Sequence, residues 1–213
     1  MRYLYVDTSS PYLYSAIVED NKIIDQVKKK FGVSLSEEAL PEIANMFTKN
    51  IILPKDIDKI IVVNGPGSFT GIRIGLTIAK TYAWNLNIPI TTISSLQAMS
   101  LSSKKETYHV PVLDARRQYV YAAIYDNEQK EILKPQHIKI ADLKKELKKI
   151  DDYQIITNDE IEEFSDTEKY NPDILKIVKT FKDKENINPH SVNPDYLKLT
   201  EAEESKKNDK ESK

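Results

Sequence analysis

Asn64-Gly65-Pro66-Gly67-Ser68-Phe69-Thr70-Gly71-Ile72-Arg73-Ile74-Gly75 holds four of the chain's five glycines within twelve positions. Glycine is used where a backbone adopts positive φ or comes close to another backbone, so this stretch has a tight geometric requirement. Lys59-Ile60-Ile61-Val62-Val63 just before it is short, apolar and mostly β-branched, the pattern of a buried strand. Gly65-Pro66-Gly67 then enforces a turn, and Ser68 or Thr70 can cap a helix running to about Leu86.

At helical spacing that segment has an apolar arc of roughly 200°, wider than the ~100° or so one sheet requires. Gly71, Gly75, Ala79 and Ala83 form an i, i+4 ridge of small residues along which another helix can approach closely, flanked by Ile72 and Leu76. Two contacts follow: the helix's own sheet and a second body, either a neighbouring helix of the same domain or a separate partner. On that reading Gly75→Leu clashes with an approaching helix and leaves the monomer folded.

Working outward, Arg2 to Asp7 reads as a strand ending in the turn Asp7-Thr8-Ser9-Ser10-Pro11. Tyr12–Val18 and Lys22–Phe31 read as two more strands. A helix follows from about Ser36, with Leu40, Ile43, Ala44 and Phe47 at i, i+3, i+4 and i+7. Its capping candidates are Ser34 and Ser36, and Glu37 and Glu38 suit the positive end of its dipole. A strand at Ile90–Ile93 follows the Gly-rich helix, and Ser94–Ser103 bridges to a second half.

There the chain repeats itself. A shift of 107 positions lays Asp7–Ile17 over Asp114–Ile124, with five identities: Asp7/Asp114, Tyr12/Tyr119, Tyr14/Tyr121, Ala16/Ala123 and Ile17/Ile124. A strand at about Lys130–Ile138, a helix at Ala141–Ile150 and a strand at Tyr153–Thr157 continue the same order. The expectation is an α/β protein of two β-β-β-α-β-α units, each with an Asp at the tip of its first hairpin. Its divisions fall at residues 1–95, 96–187 and 188–213, the last ending in a charged tail, Glu201 to Lys213, that reads as disordered.

The net charge of −2 and pI of about 6.0 argue against gripping nucleic acid by bulk charge. Without cysteine there are no disulfides and no thiolate metal sites. No signal-peptide pattern or membrane-length apolar run is present, so the expectation is a soluble cytoplasmic protein.

Two Asp-tipped hairpins across a cleft are how actin-like ATPases hold magnesium nucleotide, which makes Asp7, Thr8, Ser9 and Asp114 the candidate, vestigial, nucleotide cleft. Against a working site, neither hairpin contains a glycine to let phosphate approach the backbone, and no glycine follows Gly75. The Gly-rich turn is not a Walker A loop, since no Gly-Lys-Ser/Thr follows. Ser68 lacks a base, because His109, His137 and His190 are scattered without motif spacing. Arg116 and Arg117 read as a solvated turn, and the alternating Tyr12, Tyr14, Tyr119 and Tyr121 as sheet packing. No catalytic residue and no metal site is assigned.

Asp7-Thr8-Ser9, the Gly65–Gly75 motif, Pro111-Val112-Leu113-Asp114-Ala115-Arg116-Arg117 and Pro194-Asp195-Tyr196-Leu197 with Glu201-Ala202-Glu203 together resemble the TsaB (YeaZ) family. The resemblance implies an actin/Hsp70-like (ASKHA) fold with a reduced second lobe, and a role in threonylcarbamoyl modification (t6A) of the tRNA adenosine beside the anticodon. It implies a non-catalytic paralogue of the catalytic subunit TsaD, with TsaE, an ATPase, joining the pair. ATP, magnesium and a metal then belong to the partner subunits, tRNA is met through the complex, and a homodimer is the alternative assembly of the chain alone. TsaD's metal-binding histidines have no counterpart in Val33–Phe47, and Leu35-Ser36-Glu37-Glu38-Ala39-Leu40-Pro41 departs from the family's His-Ser-Glu…Leu-Leu-Pro pattern at the His and by one spacing. The partner interface implied is Leu40, Ile43 and Phe47 of the first helix with Gly71, Ile72, Gly75, Leu76, Ala79 and Ala83 of the second. The competing expectations are an active ATPase or sugar-kinase-like phosphotransferase, and a peptidase.

Overall fold

The structure, a computed structural model, describes residues 1–198. The charged tail and Glu201-Ala202-Glu203 lie outside the described residues.

Strands β1 (Arg2–Asp7), β2 (Tyr12–Glu19) and β3 (Lys22–Lys30) form an antiparallel meander, followed by helix α1 (Leu35–Lys49). Strand β4 (Lys59–Gly65), helix α2 (Phe69–Leu86) and strand β5 (Ile90–Ser94) then add two parallel strands beside β1, in the order β3-β2-β1-β4-β5. Helix α3 (Ser95–Ser100) bridges to a second meander of β6 (Tyr108–Asp114), β7 (Tyr119–Tyr125) and β8 (Glu131–Lys139). Helix α4 (Ile140–Leu147), strands β9 (Tyr153–Ile156) and β10 (Thr167–Glu168) and helix α5 (Ile174–Phe181) complete it. The second sheet runs β8-β7-β6-β9-β10, the same order as the first. The repeat therefore extends from eleven positions to the whole strand topology. Where the first half has α2 between its fourth and fifth strands, residues 157–166 of the second contain no helix. That is where the second lobe is reduced.

Because strand side chains alternate between faces, each sheet has two apolar faces to bury. Leu4, Val6, Leu13, Ile17, Ile60 and Val62 face outward beneath α1 and α2. Val110, Val112, Val120 and Ala122 face outward beneath α4. The inner faces share one core, in which Tyr5, Tyr14, Ile61 and Val63 of the first sheet meet Ala123, Tyr125 and Ile156 of the second, with α3 and α5 filling between them.

Helix α5 departs from the expected boundary at residue 187. Its Ile174, Ile177, Val178 and Phe181, spaced i, i+3, i+4 and i+7, pack into that shared core against β1 and β2. Asp173 caps it by accepting from Lys176 N at 3.0 Å. At its other end the buried Lys59 of β4 donates to Lys182 O (2.9 Å) and Lys184 O, satisfying carbonyls left over at a helix C-terminus. Thr91 of β5 donates to Glu185 O at 3.0 Å, and Ile187 pairs with Ile90. Residues 174–187 thus pack on the first sheet, although they follow the second in sequence.

Ser34 stands at the N-cap position of α1 but makes no capping bond; its hydroxyl donates to Phe31 O at 3.1 Å. Glu37 and Glu38 occupy the first turn as expected. Ser68 caps α2, accepting from Gly71 N at 3.1 Å.

The small-residue ridge needs correction. Gly71, Ile72, Gly75, Leu76, Ala79 and Ala83 are all buried within the chain, facing β1, β4 and α1. A Cβ at Gly71 would strike Thr8 O, and one at Gly75 would strike Thr8 Oγ1. Ile43 and Phe47 of α1 are buried in the same core. The second body is therefore α1 of this same domain, together with the β1–β2 turn. Of the nine residues assigned to a partner interface, only Leu40, 48 % exposed, is open to solvent.

Gly75→Leu is accordingly expected to destabilise the isolated chain. Overpacking against Thr8 costs about 3 kcal/mol, offset by roughly 1 kcal/mol of helix propensity. The midpoint of urea unfolding reads the net loss; an unchanged midpoint would remove the Thr8 contact as the reason for the glycine.

Candidate functional site

The β1–β2 turn and the Gly-rich loop close on each other through backbone. Ser68 N donates to Ser9 O at 2.7 Å, and Thr8 Oγ1 donates to Gly71 O at 2.7 Å. Gly67, at φ 150°, leaves no space for a Cβ beside Ser9 O. From the other side the C-terminal segment seals the loop: Asp195 N donates to Asn64 O at 2.8 Å, and a Cβ at Gly65 would collide with Asp195 O. Tyr196 stacks on Phe69 with ring centroids 5.1 Å apart and accepts from Arg73 Nε at 3.0 Å. Three of the sequence motifs, Asp7-Thr8-Ser9, Gly65–Gly75 and Pro194–Leu197, are thus one packed unit.

Asp7 is almost fully buried. Its Oδ1 accepts from Ser9 N (2.9 Å) and Ser9 Oγ (2.7 Å), while Tyr5 and Tyr170 hydroxyls approach Oδ2 at 3.4 and 3.5 Å. Burial pushes its carboxyl pKa above the ordinary aspartate value, and the hydrogen bonds from Ser9, Tyr5 and Tyr170 only partly oppose that. The same burial raises Tyr5 and Tyr170 further beyond their ordinary range. Thr8 is buried with its hydroxyl already given to Gly71.

Asp114 differs. It is exposed, accepts from Arg116 N at 2.8 Å, and its own N–H donates to Asp159 Oδ2 at 2.8 Å. Between the two turns lies a cleft cavity of about 440 Å³, lined among others by Ser9, Tyr12, Lys30, Asp159, Lys169 and Tyr170. Of the four candidate cleft residues only Ser9 reaches it, with its N–H and hydroxyl both committed to Asp7. At the first turn Asp7 is closed off by burial and the Thr8 hydroxyl and Ser9 donors are spent within the chain, whereas the Asp114 carboxylate stays accessible.

The three histidines do not converge. His109 is buried, with Nε2 2.9 Å from Lys105 O; His137 stacks on Tyr119; His190 meets Trp84 edge-on. Among the described residues no group of three or more His, Cys, Asp or Glu side chains is placed to hold a metal ion, and no helix is long and apolar enough to cross a membrane.

The exposed side of α1 and α2 holds what the ridge argument missed. Leu40, Phe69 (52 % exposed), Ile74 and Ile78 line an apolar groove of about 440 Å³, bordered by Arg73. The wide apolar arc of α2 signals two contacts, but its small residues face inward, Ile74 is half-buried at the core's edge and Phe69 is exposed.

Two sheets of identical strand order around a cleft, with the first hairpin of each ending in Asp, define an α/β protein of the actin/Hsp70-like (ASKHA) fold. A family model described as TsaD, tRNA N6-adenosine threonylcarbamoyltransferase, matches residues 24–203. The tRNA threonylcarbamoyladenosine biosynthesis protein TsaB of Bacillus subtilis (strain 168) is 34% identical over 155 residues, covering 71% of this chain and 68% of that protein. TsaB of Escherichia coli (strain K12) is 30% identical over 135 residues, covering 61% of this chain and 57% of that protein. The solved structure of YeaZ from Pseudomonas aeruginosa superposes with a TM-score of 0.69 at 15% identity, covering 92% of this chain and 99% of that one. The chain belongs to the TsaB (YeaZ) family.

The buried Asp7 carboxylate makes a pH-dependent contribution whose sign is fixed. With the folded pKa above the unfolded one, its favourable contribution is complete below the unfolded pKa near 3.9 and is lost as pH rises through the raised folded value. Asp7→Asn keeps an acceptor for Ser9 and removes the buried charge. Its urea midpoint should exceed that of the parent chain at pH 7, with the gap closing toward pH 4. A gap equal at both pH values would show that Asp7 is not the titrating group.

Proposed function

We propose that this chain acts in threonylcarbamoyladenosine biosynthesis as a non-catalytic scaffold and activator subunit. It pairs with the catalytic subunit TsaD so that threonylcarbamoyl is transferred to the tRNA adenosine beside the anticodon. TsaE, an ATPase, joins the pair; ATP, magnesium and a metal sit on those partners, and tRNA is engaged through the complex.

The observation that carries the reading is the groove of Leu40, Phe69, Ile74 and Ile78 on two adjacent helices. Leu40 and Phe69 are each about half exposed at its lip, where α1 and α2 lie side by side. Apolar surface of this kind, rimmed by an arginine, is characteristic of helix-to-helix docking. The spent donors of the Asp7–Ser9 turn support the non-catalytic half of the reading, since a phosphotransferase would need them for substrate.

Mixing the purified chain with TsaD from the same source, with light-scattering mass as readout, tests the pairing. A stoichiometric heterocomplex is expected, with no ATP turnover by this chain alone. Leu40→Glu and Thr77→Arg, both at exposed positions of the groove, are expected to weaken pairing at least tenfold while leaving the thermal unfolding of the monomer within a few degrees of the parent. Undisturbed pairing by both variants would move the interface elsewhere. Turnover by the isolated chain would replace the scaffold reading with a phosphotransferase.

A further inference from the structure

The tip of the β6–β7 hairpin is built unlike an ordinary solvated turn. Arg116, Arg117 and Gln118 stand in three consecutive left-handed conformations, at φ 64°, 53° and 65°. Left-handed backbone is unfavourable for residues with a Cβ and is kept where surrounding bonds over-determine it. Here those bonds are Arg116 N to Asp114 Oδ1, Tyr119 N to Arg116 O, Ala115 N to Tyr119 O and Ile140 N to Gln118 O, all within 2.8–3.0 Å. The result is two exposed guanidinium side chains held on a rigid tip.

An aromatic platform adjoins the tip. Tyr119 and His137 stack with centroids 4.6 Å apart and planes 9° from parallel, and Tyr121 tilts against His137 at 5.3 Å. Lys139, opposite Tyr119 across the strands, places its ammonium 5.8 Å from the Tyr119 centroid. The repeat-equivalent tyrosine of the first lobe, Tyr12, has the same arrangement. It lies opposite Lys30, whose ammonium is 5.9 Å from its ring, and it stacks on Tyr14 at 5.4 Å. Arg116, Arg117, Lys139 and Lys30 have no carboxylate side-chain partner among the described residues. The exposed carboxylate of Asp114 lies at the base of the tip, engaged with Arg116 N.

We propose that this rim is a contact surface for a single-stranded nucleic acid, and, within the proposed function, for a looped strand of the RNA that the complex modifies. Unpaired cations on a fixed turn suit phosphates, and half-exposed stacked rings capped by ammonium groups suit unpaired bases. The chain's net charge of −2 supplies no long-range attraction, so the contact is local and weak on its own, with a dissociation constant on the order of 10⁻⁵ M at low salt. The identity of the RNA rests on the scaffold reading; the surface itself rests on the hairpin geometry.

The test uses the full chain and a fluorescein-labelled single-stranded oligoribonucleotide, with anisotropy followed across a salt series. Binding at low salt is expected. Arg116→Ser with Arg117→Ser should weaken it at least tenfold and reduce the salt slope by about 1.4, the value for two phosphate contacts on a single strand. Tyr119→Leu should weaken it about tenfold with the slope unchanged, while Lys149→Ser, beyond the far end of α4, should change nothing. No anisotropy change at 50 mM salt and about 200 μM chain, twice the weak limit of non-specific binding, overturns the proposal. So does equal loss in the Lys149 variant, or equally good competition by a blunt RNA duplex, whose bases are already stacked. Because no TsaD is present, these outcomes leave the pairing experiment untouched, and failed pairing leaves this one untouched.

Discussion

Everything in the first lobe depends on the approach of the Thr8–Ser9 backbone to the Gly-rich loop. Two hydrogen bonds, Ser68 N to Ser9 O and Thr8 Oγ1 to Gly71 O, join segments some sixty residues apart. They require that Gly67, Gly71 and Gly75 have no side chain. Once the turn is seated, α2 must lie across β1 and β4, its C-cap Asn87 in the left-handed conformation turns the chain toward β5, and Ser68 is placed to cap. The same contact takes up the Thr8 hydroxyl, while Ser9 N and Oγ are held separately by Asp7 Oδ1.

Above that contact the layers follow from alternation. Each sheet is apolar on both faces, so each needs cover on both. Helices α1, α2 and α4 supply the outer cover, while the inner faces cover one another through α3 and α5. Among the surfaces that these layers leave open are the groove at Leu40 and Phe69 and the cation-topped tyrosines at the two hairpin tips.

Much of this architecture was legible in the residues. The short β-branched runs, the Gly-Pro-Gly turn and the 107-position repeat lead to the observed succession of strands and helices, since each is a local signal or a direct self-comparison. Direction was harder. The ridge from Gly71 to Ala83 announces close approach, but periodicity cannot say which neighbour approaches, and the neighbours here are the Thr8 turn and α1 of the same chain. Asp7 and Asp114 match in sequence yet differ in burial, because Ser9 and Tyr170 enclose the first and water surrounds the second. The return of α5 to the first sheet depends on Lys59 reaching carbonyls more than a hundred residues away, which no local pattern encodes. The left-handed run at Arg116–Gln118 has no glycine or asparagine to betray it.

The path of α5 also ties the two halves together: their strand orders match, yet the inner face of each is covered by the other and by this helix. Severed after β5, the first sheet would present Tyr5, Tyr14, Ile61 and Val63 to water, and the second would lose the surface on which its own last helix rests.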